Sequence, residues 1–581
     1  MKKNYLIAIA VFLSTSVFAQ LSLVTTFTAA NELKQEQIRE DNYFQGHVFY
    51  FGQGSTTSSQ LYKTDGNTIT LVKDFGPVYP EGETATGISI SNFNQTSDKL
   101  FFTRYSMRFG TTAPLDAISE LWTSDGTTEG TIKLASYRYA GTSRSAFVLS
   151  GESGGTYHKY QNSIGNKLIF NGYDSENPGN TLIMWVSDGT AAGTKPLLDN
   201  GGGKVYGGVF FGTRMNGKYY FGARPQNSID PGGHLYETDG TNSGTKKVNS
   251  GLFYMSSNTS EPLNGKMLFW ANTVNENYGL WESDGTDAGT KPFAGLPGTT
   301  GKKTYYLTGI DMANDGKQVY FTIQPTAEVK TAEIWATDFT PGNTRKIRDE
   351  SIFLPSKIEL GDGFVYILYW DSNLGASAKF KLGYSDGTFS GTKTLLEESA
   401  SASSFGLYQN SLYFPQYESK NGFLYSNVEL WSSDGTAENT KMLHDIYPGE
   451  VTFYNPPYKL SSNPRSFFVL ENVLYFVAKN GNNTNLYRFK SAETSVDAIG
   501  SGKNNRSLNV FPNPCTDYVS IHSAGNDEWT LTSLQGKVVM RTELKEGNNV
   551  LNVNELPKGI YLGIIRNKIN GATSSGKIIK K

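Results

Sequence analysis

The clearest pattern of apolar and polar positions lies in "ELWTSDGTTEGTIKL", residues 120–134. Leu121, Trp122, Thr123 and Ser124 alternate large and small, as a half-covered strand does, and Thr131, Ile132, Lys133 and Leu134 resume the alternation after a glycine-containing loop. Strand, loop and strand predict a hairpin. Near copies return as "MWVSDGTAAGTKPL", "GLWESDGTDAGTKPF" and "ELWSSDGTAENTKML". Aligned on the aspartate they give Asp65, Asp125, Asp188, Asp239, Asp284, Asp338, Asp386 and Asp434, separated by 60, 63, 51, 45, 54, 48 and 48 residues. A ninth, degenerate copy is "NLYRFK", with Lys490 in the aspartate position. Upstream of each lies a second apolar stretch, from "HVFYF" to "VLYF". A period near fifty marks a repeat fold.

Five residues after the aspartate stand Gly130, Gly193, Gly244, Gly289 and Gly391, or Asn343 and Asn439. Glycine and asparagine tolerate left-handed backbone best, so this position is expected to have a positive φ. The aspartate and the following threonine can then hydrogen-bond loop backbone. The eight aspartates are therefore read as turn-shaping groups: a catalytic carboxylate has no reason to recur eight times, and "SDGT" lacks the dense oxygen ligands of a calcium loop. Before each turn sits an aromatic, Trp122, Trp185, Trp281, Trp335 and Trp431 or Tyr62, Tyr236 and Tyr487, with Gly383 the exception. Such a row predicts packing between neighbouring repeats, with a carbohydrate-stacking ladder as the other reading.

Two evident strands per fifty residues, with room for two more, predict a four-stranded blade. One such sheet would leave both faces exposed, so blades must stack and the ring must close. The expected fold is all-β, a β-propeller of eight or nine four-stranded blades over residues 20–497, with "LSLVTTF" near the start completing the last blade. The motif resembles a group of exported bacterial proteins with tandem "ELWxSDGTxxGT" repeats, over residues 45–495, from which Phe339 and Gly383 depart. That resemblance implies a propeller-like fold and no particular reaction.

The ends differ from the repeats. Lys2 and Lys3, an apolar run from Tyr5 to Leu13 and small residues up to Ala19 make residues 1–19 a signal peptide. Polar residues 498–507 read as a linker, and 508–581 as a small β-sandwich of short strands broken by Gly and Pro. Here Pro512, Asn513, Pro514, Gly536, Gly559, Tyr561, Lys577 and Lys580 are spaced as in the type A C-terminal sorting domain of the type IX secretion system, which this segment resembles. The resemblance implies the type IX machinery as partner, and a chain released or attached to surface lipopolysaccharide outside a Gram-negative cell. Cys515 is expected to be a half-exposed free thiol.

Charge is balanced, 52 basic against 54 acidic residues, so nucleic acid is not expected as a partner. A lone cysteine in an exported chain leaves stability to packing. The histidines His47, His158, His234, His444 and His522 share no metal-ligand spacing, and no catalytic or cofactor motif is present. No catalytic residue, metal or cofactor is therefore expected. The longest spacings hold Arg104, Tyr105, Arg108, Tyr137, Arg138, Tyr139 and Arg144, residue types that suit a glycan or protein ligand; Trp270 and Trp370 are further ligand candidates. The expectation is a non-enzymatic binding or adhesion protein, with a secreted glycosidase or lyase using a loop carboxylate pair as the alternative.

Overall fold

In a computed structural model, the described residues are 20–27, 42–53, 59–76, 87–109, 114–140, 146–149, 162–174, 182–206, 212–225, 234–249, 252–259, 262–273, 279–294, 313–323, 333–340, 342–348, 355–361, 363–371, 379–399, 404–421, 424–452, 457–490, 510–511, 515, 518–523, 525, 527–533, 538–545, 547–568 and 573–580. The predicted signal peptide and linker lie outside them. Among the described residues the chain is all-β, and it divides into a repeat domain, Leu21–Lys490, and a C-terminal domain.

The repeat domain consists, among the described residues, of nine four-stranded antiparallel units, numbered in chain order from sheet one (Tyr43–Phe44, His47–Gln53, Ser59–Thr64, Ile69–Asp74) through sheet eight (Gly406–Tyr408, Ser411–Gln416, Glu429–Ser433, Lys441–His444) to sheet nine, those of sheets three and four being joined through the short strand Val205–Tyr206. Sheet two is typical: Gly87–Gln95, Leu100–Phe109, Pro114–Ser124 and Ile132–Ala140 run side by side in sequence order. Sheet nine departs from that order. Its first three strands are Arg465–Leu470, Val473–Asn480 and Asn483–Lys490, and its fourth is Gln20–Thr26, from the other end of the domain.

Second and third strands alternate too little for one wet face: Lys167–Tyr173 and Leu182–Ser187 are buried at almost every position. A strand apolar on both sides must be covered on both sides. Each neighbouring pair of sheets does this by sharing a core. Phe51 and Phe102 join sheets one and two, Phe101 and Phe170 sheets two and three, and Ile169 and Phe221 sheets three and four. The series continues through Tyr220 with Phe269, Leu268 with Phe321, Tyr320 with Ile367, Leu368 with Phe414 and Tyr413 with Phe476. A ninth core, with Tyr50, Tyr62, Tyr475 and Val477, joins sheet nine back to sheet one, so the series is cyclic and the ring closes.

The aromatic before each turn lies in the core toward the preceding sheet, as Trp185 does with Phe147 and Phe170. Burying one such ring contributes roughly 1.5–3 kcal/mol. At Gly383 the ring is missing, and Tyr369 of the adjacent strand comes within 3.2 Å of where a Cβ would stand.

The fourth strand of sheet nine works as a clasp. Leu21 reaches the core shared with sheet eight, Val24 and Phe27 the core shared with sheet one, and Thr26 Oγ1 donates to Asn485 Oδ1 at 2.8 Å. Arg488 ties the same corner, donating from Nε to Ser22 Oγ at 2.9 Å.

In the C-terminal domain a three-stranded sheet (Val510–Phe511, Tyr518–Ser523, Gly547–Asn552) and a four-stranded one (Asp527–Ser533, Val538–Leu544, Gly559–Asn567, Thr573–Lys580) contribute to one core around Trp529. Gly563 is required there, since a Cβ would stand 2.1 Å from the Trp529 ring. Cys515 corrects the expectation of a half-exposed thiol. It is 1% exposed inside this core, and burial raises its pKa.

Candidate functional site

Pairing fixes which parts of each repeat share an end. Leu100 faces Ser124, so the connection from first to second strand lies at the same end as the Asp-Gly turn. The connections from second to third strand, and from each sheet to the next, lie at the opposite end.

At the turn end, Thr127 donates to Asp125 Oδ1 from its backbone N–H at 2.9 Å and its hydroxyl at 2.7 Å, and Gly130 N–H donates to Thr127 Oγ1 at 2.9 Å. Gly126 N–H donates to Ser124 Oγ at 3.0 Å, and that hydroxyl meets Thr131 Oγ1 at 2.7 Å. The same bonds recur around Asp188, Asp239, Asp284 and Asp386. The hydroxyl of the following threonine holds Asp125, Asp188, Asp239, Asp284 and Asp386 below the ordinary carboxylate pKa. At Asp65, Asp338 and Asp434 burial pushes upward, but the loop hydrogen bonds outweigh it and these also titrate low.

The left-handed residue is not the one expected. It is the glycine directly after the aspartate, with φ of 85° at Gly66, 89° at Gly126 and 88° at Gly285, and in the sixth repeat Phe339 adopts 64°. Gly130, Gly193, Gly244, Gly289 and Gly391 are needed for space instead. A Cβ on any of them would lie within 2.0 Å of the aspartate Oδ1. Asn343 and Asn439 meet the carboxylate differently, donating Nδ2 to Asp338 Oδ2 at 2.6 Å and Asp434 Oδ2 at 2.7 Å. Each turn also docks on the preceding sheet. Gly66 faces Tyr475, Gly285 faces Tyr220, and Lys63 Nζ donates to Gly126 O at 2.9 Å.

At the opposite end, the ligand candidates fall into different environments. Arg104 is corrected from ligand group to core group. It is 2% exposed, pairs with Glu120 at 3.3 Å, donates to Ser59 Oγ at 3.0 Å and lies over Phe75, tying sheet two to sheet one. Burial pulls its pKa down, and Glu120 opposes the shift. Tyr105 and Trp270 are likewise buried and cannot present a ligand surface, and Tyr137 packs between Phe147 and Tyr173. Arg108 and Arg138 both grip Asp116, Arg108 through Nε at 2.7 Å and Nη2 at 2.9 Å, Arg138 through Nε at 2.7 Å. Arg138 is the more exposed of the two, with 41% of its side chain accessible. Tyr139 and Trp370 occupy strands whose side chains there are outside the description, and Arg144 lies outside the described residues.

A feature of this end that spacing did not single out is at sheet eight. A hairpin, Ser419–Asn421 with Leu424–Ser426, and a second, Glu450–Val451 with Tyr458–Lys459, are joined at their bases. Asn427 N–H donates to Lys459 O at 3.4 Å, and Asn427 Nδ2 to Glu418 Oε2 at 2.9 Å, the carboxylate that also pairs with Lys459. Beneath them Glu429 is fully buried and accepts from Ile446 N–H and Ser462 N–H, both at 2.8 Å, and from the Ser462 hydroxyl. Burial raises its pKa. Among the described residues no group of three or more metal-ligating side chains converges.

Of the sorting residues, Gly559 opens a strand, Tyr561 is buried and donates its hydroxyl to Pro557 O at 2.6 Å, and Lys580 is buried at the end of the last strand. Lys577 lies in that strand; Pro512, Asn513, Pro514 and Gly536 lie outside the described residues.

These features define an all-β repeat protein of propeller type with a separate C-terminal β domain. Residues 509–581 match the family described as the secretion system C-terminal sorting domain. The chain is thus exported through the type IX secretion system to the outside or outer surface of a Gram-negative bacterium. No curated protein matches it. Among solved structures it is similar to PorZ, an essential bacterial surface component of the type-IX secretion system of Porphyromonas gingivalis, at 12% identity over 93% of this chain and 81% of that one, with a TM-score of 0.25. It is also similar to the β-propeller domain of the Trilobed protease from Pyrococcus furiosus, at 14% identity over 66% and 100%, with a TM-score of 0.32. The chain's own sheets and shared cores establish the ring.

Proposed function

We propose that the repeat domain is a nine-bladed propeller acting as a non-enzymatic binding protein at the cell surface, and that the C-terminal domain, a β-sandwich, is its export address. The asymmetry of the ring carries this reading. One end repeats a self-satisfied turn in which the aspartates serve their own loops, while the other gathers the connections that vary in length, where binding residues collect on a rigid scaffold. The ligand surface is the second end, centred on the paired hairpins of sheet eight and the exposed Arg138. A glycan or a surface protein suits its polar, hydrogen-bonding character.

The test uses the full exported protein, and a variant in which residues 419–426 are replaced by a tight turn, on glycan and cell-surface protein panels. Binding that weakens by about tenfold or more in the variant, with near-wild-type thermal unfolding, supports the reading, since a tenfold loss is roughly 1.4 kcal/mol of contact energy. Binding indifferent to the hairpin and to Arg138→Ala refutes the placement, and reducing-sugar release would move the protein to the enzymes.

A further inference from the structure

Seven of the repeated turns contain the dipeptide Asp-Gly: Asp65–Gly66, Asp125–Gly126, Asp188–Gly189, Asp239–Gly240, Asp284–Gly285, Asp386–Gly387 and Asp434–Gly435. In a flexible chain this dipeptide is chemically fragile. The glycine amide nitrogen loses its proton and attacks the aspartate Cγ, a carboxyl oxygen leaves as water, and a five-membered succinimide forms. Water then opens the ring at either carbonyl, returning aspartate or leaving isoaspartate, which lengthens the main chain by one carbon. A protein working outside the cell is exposed to this reaction for its whole lifetime.

We propose that the Ser/Thr-Asp-Gly-Thr network protects these bonds from isomerisation, so that the hydroxyl residues flanking the aspartate serve chemical durability as well as turn shape. Both reacting groups are engaged. Each glycine N–H donates to the hydroxyl of the residue before the aspartate, at 2.9–3.2 Å in all seven turns, so attack must first break that bond. The carboxylate is held elsewhere. In the second, third, fourth, fifth, seventh and eighth repeats Oδ1 accepts from the N–H and hydroxyl of the following threonine. In the first repeat Asn67 and Thr68 take over that task. The lowered pKa values act in the same direction, because an ionised carboxylate is a poor electrophile and the reaction proceeds through the neutral acid.

The experiment ages the purified exported protein for weeks at neutral pH and body temperature and maps isoaspartate by peptide mass spectrometry, with synthetic peptides of the seven turns aged alongside. Asn216–Gly217, an exposed turn that is also left-handed, serves as an internal clock for the same cyclisation in the folded chain. The seven turns are expected to isomerise at least about tenfold more slowly than their peptides, while the Asn216 site keeps pace with its own peptide; a tenfold difference is a barrier change of roughly 1.4 kcal/mol. Thr127→Val should raise isoaspartate at Asp125–Gly126 alone, and Thr127→Ser should restore protection. Equal rates in protein and peptide, slowing at Asn216 as large as at the turns, or a Thr127→Val site that ages like wild type, would each overturn the proposal. The comparison of wild-type protein with peptides decides the matter even if the valine variant is not exported.

Discussion

Replacing Gly289 tests whether the second glycine of the turn is there for space. Its φ is outside the left-handed region, so by backbone entropy alone Gly289→Ala should stabilise the protein by about 0.4–1 kcal/mol. The structure reverses that sign. An alanine Cβ would stand 1.9 Å from Asp284 Oδ1 and 2.2 Å from Cγ, so the carboxylate and the turn must shift apart, weakening the bonds from Thr286 N–H at 2.9 Å and Thr286 Oγ1 at 2.7 Å with no side-chain donor to replace them. Hydrogen bonds to a charged acceptor contribute about 1.5–3 kcal/mol each when sheltered, and water recovers much of that in an exposed turn, leaving a net loss of about 1–2 kcal/mol. Gly289→Asn, although larger, should lose less than about 0.5 kcal/mol, because its amide can bond the carboxylate as Asn439 does with Asp434. Urea unfolding followed by tryptophan fluorescence gives the order, provided the slope stays constant across the three proteins. An alanine variant as stable as wild type, or an asparagine variant weaker than alanine, refutes the reasoning.

Arg104→Met should destabilise by about 1–3 kcal/mol by removing one partner of the buried Glu120, which keeps Lys133 at 3.1 Å and Trp122 Nε1 at 3.0 Å, whereas Arg138→Ala should change stability by less than about 1 kcal/mol; denaturation midpoints separate the two. Trp185→Ala should lose about 3–5 kcal/mol by opening the core between sheets two and three, and calorimetry measures it. For pH, the turn aspartates have folded pKa values below their ordinary 3.8, so their contribution is intact above that value and is lost as pH falls through the folded values. Glu429, raised above 4.5, acts oppositely and adds stability as pH falls through its folded value. Urea midpoints across acid pH should hold until roughly pH 4 and then drop, and a decline beginning near neutrality would contradict this. Replacing Leu21, Val24 and Phe27 with serine should unclasp sheet nine, seen as new protease cleavage within 465–490.

The repeat was legible because the same aromatic contact is made in eight of the nine repeats. A tryptophan such as Trp185 or Trp431 recurs in register since each sheet must fill the space beside the one before, and recurrence in sequence is the imprint of that demand. The role of Gly130 was not legible. Glycine alternating with asparagine suits a left-handed residue and equally a residue lying against a carboxylate, and only the short distance to Asp125 distinguishes them. Arg104 and Arg138 read alike along the chain, yet they project at different depths of one long sheet, one into a core and one toward water. The hairpins of sheet eight escaped notice because spacing records only total length. Asp386 to Asp434 is an ordinary 48 residues, although that interval includes the extra strands Ser419–Asn421 and Leu424–Ser426.

The clasp imposes an order of events on the making of this protein. Thr26 bonds a partner 459 residues away, so the first of the described strands acquires its pairing partner only when the ninth repeat has emerged. Contacts so distant along the chain make folding slow. Until that pairing forms, sheet nine lacks its fourth strand, and the two cores beside it lack Leu21, Val24 and Phe27.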